Sequence, residues 1–104
     1  MAIFGDLRMP YEQSEALNNL GELLTRSSDS GQARDHHARA LAIARDIGAP
    51  LQEARALEGI AQSCLQEGNT ADAATLLRQV LAIYQRIGTP GAQRVQQTLR
   101  QHGL

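Results

Sequence analysis

Apolar residues recur every three to four positions along most of this chain, the spacing of helices that bury one face. Over residues 11–26 the stripe is Leu17, Leu20 and Leu24, flanked by Ala16 and Leu23. Over 30–47 it is Ala33, His37, Ala40, Leu41, Ala44 and Ile47. The same pattern predicts helices over 51–67 and 70–87, and a fifth over 91–101 that carries Ala92, Val95 and Leu99. The outer side of that fifth helix, with Gln93, Gln96, Gln97 and Arg100, is polar, as a terminal helix needs.

Punctuation agrees with periodicity. Pro10, Pro50 and Pro90 stand where a first helical turn begins, and a missing N–H costs nothing there. Gly48 and Gly88 stand where a left-handed residue can end the preceding helix. Asp29 with Gln32, and Asn69 with Asp72, have the spacing of an N-cap and its third helical residue.

These signals repeat with a period of 40 residues. Ala16-Leu17 meets Ala56-Leu57, Ala40-Leu41-Ala42-Ile43 meets Val80-Leu81-Ala82-Ile83, and Ile47-Gly48 meets Ile87-Gly88. The N-terminus joins the register: Ala2-Ile3 matches Ala42-Ile43, and Pro10 matches Pro50 and Pro90. The expected organisation is one domain, with 1–10 a remnant of a preceding repeat, 11–50 and 51–90 two repeats, and 91–104 a capping helix. A start inside a repeat suggests a segment of a longer array. Each helical hairpin leaves an apolar face that the next hairpin covers.

Two such copies resemble the tetratricopeptide repeat, in the longer-period form of kinesin light chains and many bacterial signalling regulators. The residues that carry the likeness are Leu17, Leu20-Gly21 and Leu24 in the first helix, then Leu57, Ile60-Ala61 and Cys64. In the second helix they are Ala33, His37 and Ala40, then Ala73, Leu77 and Val80. The turn glycine is Gly68 in one copy and Ser28 in the other. The resemblance implies an all-α solenoid of antiparallel helical hairpins, a right-handed superhelix of about five helices plus an N-terminal helical stub. It also implies a concave groove that binds a peptide or helix of a partner protein. By repeat position the groove would be lined by Glu15, Asn18, Asn19, Glu22, Thr25 and Arg26, then Arg55, Glu58, Gly59, Gln62, Leu65 and Gln66. Asn19 matches the position where the family often holds a ligand's backbone amide, and Gly59 replaces it in the second copy.

Charge and composition narrow the partners. The formal net charge is −1, so no basic field draws nucleic acid or an anionic membrane. All ten basic residues are Arg, and with the abundance of Ala this points to a GC-rich bacterial source. The single cysteine, Cys64, fits a reducing cytoplasm. No apolar run is long enough to cross a membrane, and no secretory leader pattern is present.

Candidate chemistry is sparse. His36 and His37 are adjacent, so on a helix they point about 100° apart and do not readily share an ion; packing or capping roles are expected for both. His102 lies near a helix end, where imidazolium is favourable. Cys64 lies on the core side without a base partner, which predicts an inert thiol. Glu15, Glu22 and Glu58 could share the groove, but carboxylates do acid–base work only where burial separates their pKa values. The expectation is therefore a protein-interaction module of a bacterial signalling or transcriptional regulator, with no enzyme activity, cofactor or metal. Two alternatives stand beside it: self-association through Ile3, Phe4 and Leu7, and an enzyme with a site in the groove.

Overall fold

The computed structural model describes residues 8–27 and 29–104. Ile3, Phe4 and Leu7, with the association expected of them, and the turn residue Ser28 lie outside the described residues. Five α-helices follow one another: α1 (Arg8–Arg26), α2 (Ser30–Ile47), α3 (Pro50–Gln66), α4 (Thr70–Ile87) and α5 (Gly91–Gln101). Each packs on the next, and α1 also touches α3. The first helices of the repeats therefore stand side by side in one layer, backed by α2 and α4.

The helix ends follow local chemistry. The Asp29 carboxylate accepts from Gln32 N at 3.3 Å, and Asn69 Oδ1 accepts from Asp72 N at 3.4 Å. Gly48 and Gly88 close α2 and α4 in the left-handed region, at φ 67° and 73°. Pro50 occupies the first turn of α3. The chain is already helical at Arg8, three residues before the expected start, because the first N–H groups of a helix have no internal acceptor and Pro10 forfeits nothing there.

The two copies share a backbone plan but not an interior. The apolar core is Ala54, Leu57 and Ala61 of α3, Leu77, Val80, Ile83 and Tyr84 of α4, and Val95 of α5. Leu65, expected in the groove, packs half-buried against this core instead. Cys64 is buried as expected, and burial pushes its thiol pKa up. The first copy buries polar groups, Ser14, Asn18 and His37, against a buried Gln52 at the start of α3. Its expected stripe on α1 is only half realised. Leu17 and Leu24 are half-buried, whereas Ala16, Leu20 and Leu23 are exposed. Among the described residues nothing packs before α1, so the face that α2 covers on α3 is open on α1.

Candidate functional site: a groove along the first helices

The groove is an open trough of about 640 Å³ that runs from the C-terminal half of α1, across α3, to the start of α5. Glu22, Thr25, Arg26, Arg55, Glu58, Gly59 and Gln62, all expected there, line it. Glu15, Asn19 and Gln66 are exposed on α1 and α3 beside it.

Two arginines tie successive first helices together. Arg55 Nη2 reaches from α3 to α1 and donates to Asn19 Oδ1 at 2.8 Å and Glu22 Oε2 at 2.9 Å. Arg94 reaches from α5 to α3, with Nε and Nη2 donating to the two Glu58 oxygens at 2.9 and 2.8 Å. This fork is the bidentate geometry in which guanidinium and carboxylate match best. Tyr84 OH donates to Glu58 Oε1 at 3.0 Å, and the Arg94 guanidinium lies 5.8 Å from the Tyr84 ring centre. Burial first, then the Glu58 charge, push the Tyr84 phenol pKa up, so it stays a protonated donor. The hydrogen bond to Glu58 pushes Arg94 up as well.

Asn18 does not face the groove. Its side chain is wholly buried, and its amide nitrogen donates to the Gln52 backbone carbonyl at 3.2 Å and to Gln52 Oε1 at 3.0 Å. Arg55 Nη1 donates to the same Oε1 at 3.2 Å, and Gln52 Nε2 donates to Tyr11 OH at 3.2 Å. A polar chain thus runs from the groove into the interface of α1, α2 and α3.

That chain fixes the state of His37. A backbone carbonyl can only accept, so the Asn18 atom facing it is nitrogen and the other is oxygen. Asn18 Oδ1 lies 2.8 Å from His37 Nδ1, which must therefore carry the hydrogen. Nε2 of the neutral ring is then a bare lone pair, and it has no hydrogen-bond partner. Burial lowers the His37 pKa against the pull of Glu22, which favours this neutral form. The ring edge fills the slot between α1 and α3. A Cβ at Gly21 would sit 2.4 Å from Nε2, and one at Gly59 only 2.2 Å. Gly59 thus replaces the expected asparagine because a histidine occupies the space of any side chain there.

Several lining residues were not expected in the groove: Leu51, Tyr84, Thr89, Pro90, Gly91 and Arg94. Arg94 could have been found from a spacing. Asn19 and Arg55 are 36 residues apart, as are Glu58 and Arg94. Facing positions on neighbouring first helices are therefore offset from the 40-residue period by about one helical turn. His36, by contrast, turns back on its own helix, with Nδ1 2.9 Å from Gln32 O four residues earlier. Among the described residues no group of His, Cys, Asp and Glu could hold a metal ion. No described helix is long and apolar enough to cross a membrane.

Comparison with curated proteins and with solved structures returned no match. A model of the family described as tetratricopeptide repeat matches residues 12–86, which takes in most of α1, all of α2 and α3, and nearly all of α4. With the five-helix, paired-layer architecture, that match places this chain in the tetratricopeptide repeat family, whose members are non-catalytic scaffolds that in general bind other proteins.

Proposed function

We propose that the groove takes up an extended peptide or a helix of a partner protein, and that the chain serves as an interaction module of a larger bacterial signalling or transcriptional regulator in the cytoplasm. The observation that carries this reading is the row of part-exposed polar side chains on three rigid helices, braced by the Arg55 and Arg94 bridges. Asn19 has its carbonyl held by Arg55, so its NH2 group is left to donate to a partner's backbone. Gln62 and Gln66 continue the row along α3. Side chains already fixed lose little entropy on binding.

The reading of no enzyme activity has its own support. Glu22 and Glu58 are each committed to a guanidinium, Arg55 and Arg94 respectively, so neither carboxylate stands free in the groove to act on a substrate. Mixed charge in the groove favours specificity over affinity.

The groove can be tested with peptides selected from a random display library on the intact chain. Those peptides should shift backbone amide resonances of α1, α3 and α5. Gln62→Trp, which fills the trough floor, should abolish binding while far-UV circular dichroism stays unchanged. Shifts confined to the outward faces of α2 and α4 would remove the groove from consideration.

A further inference from the structure

The exposed side of α1 carries a second surface. Met9, Gln13, Ala16, Leu20, Leu23 and Ser27 are all exposed. Met9, Leu20 and Leu23 are 66%, 46% and 55% exposed, although they are large and apolar. Their spacing alternates four and three, the 3.5-residue seam along which two helices interlock. One period later the stripe falls on Ala56, Ile60 and Ser63 of α3, and there α2 covers it. Ala56 and Ser63 are fully buried, and Ser63 Oγ donates to Ser30 O of α2 at 3.2 Å. The stripe is thus the fold's own stacking surface, left uncovered among the described residues.

We propose that a second copy of this chain occupies it, with the two α1 helices antiparallel about a two-fold axis near Asn18. In that register Ala16 faces Leu20 of the second copy, Gln13 faces its Leu23, and Met9 faces its Ser27, so small or flexible side chains meet large ones. Charge selects the antiparallel sense. Glu12 and Arg26 lie on the same flank of the seam two heptads apart, and Arg26 has no ion pair among the described residues. The antiparallel arrangement brings Arg26 of each copy to Glu12 of the other, while a parallel one places these flanks on opposite sides of the seam, facing Leu17 and Leu24, and forms no such pair. It also opposes the helix dipoles favourably. Head-to-tail stacking is disfavoured, because the outer side of α5 presents exposed Gln93, Gln97 and Arg100 to the apolar stripe. A single five-turn seam is small for a stable interface, which places the dimer in the weak class.

Sedimentation equilibrium from micromolar to millimolar protein tests this independently of groove binding. The average mass should rise towards twice that of the chain and fall again on dilution. Leu20→Glu with Leu23→Glu should return it to the single-chain value at every concentration, with helical circular dichroism retained. Arg26→Glu should weaken association several-fold, and adding Glu12→Arg should restore it. A single-chain mass at millimolar concentration overturns the proposal. So does a dimer indifferent to the leucine changes, or a charge swap that fails to restore what Arg26→Glu removed.

Discussion

His37 shows how one side chain can set the character of a repeat. Its counterpart one period on is Leu77, equally buried but in an apolar core. Where Leu77 needs only apolar neighbours, His37 needs a hydrogen-bond acceptor, supplied by Asn18, and room, supplied by Gly21 and Gly59. Gly59→Ala should therefore destabilise the fold by about 1–3 kcal/mol through overpacking. In a His37→Ala background most of that penalty should vanish, as thermal melts of the four proteins would reveal. The same residue makes stability depend on pH. Burial holds the folded-state pKa of His37 below its ordinary value of 6.5. The unfolded chain therefore takes up a proton first as pH falls. Stability is fully present above about pH 6.5 and declines below it until the folded form also protonates. The groups facing His37 are Glu22 of α1, His36 of α2, and Arg55 and Glu58 of α3. Denaturant titrations between neutral and mildly acidic pH should show this decline in the parent and a smaller one in His37→Gln, after allowance for the carboxylates that also titrate towards the acid end.

The helices differ in what their leucines contribute. Leu57 is 3% exposed in the core of the second repeat, whereas Leu20, the first-copy neighbour of its equivalent Leu17, is 46% exposed. Leu57→Ala should cost roughly 2–5 kcal/mol, enough to unfold a small array. Leu20→Ala, measured at micromolar concentration, should shift stability by no more than about 0.5 kcal/mol, the range of surface substitutions. An equal loss from both would mean that α1 is covered. The capped helix ends, in contrast, were legible in the chain. Asp29, Asn69, Gly48 and Gly88 act within three or four residues of themselves, so spacing alone suffices to place them. The 40-residue copying then supports each cap by its twin.

For the whole molecule, stability should be graded from one end to the other. The apolar core draws on α3, α4 and α5 and includes nothing from α1, which is held by the Asn18–Gln52–Arg55 chain and by half-buried leucines. In a repeat array each unit leans chiefly on its neighbours, and units with fewer apolar contacts open at lower free energy. Native-state hydrogen exchange at low concentration should therefore find the slowest amides in α3 and α4 and faster exchange throughout α1. Uniform protection across all five helices would contradict this grading. Self-association through the α1 seam would slow exchange in α1 as concentration rises, a change that dilution reverses.

The sequence alone determined the helices, their caps and the pairing of helices into hairpins. Each of these depends on periodicity or on contacts only a few residues long, and the internal repeat states them twice. The tertiary structure decided which polar residues face the groove. Asn18 and Asn19 are adjacent and chemically identical, yet one is sealed inside by His37 and Gln52 while the other stands exposed beside Arg55. Burial of a polar group is tolerable only when a partner arrives to satisfy it, and for Asn18 the partners come from two other helices, 19 and 34 residues away. No local pattern encodes that meeting. It exists only once the helices have stacked.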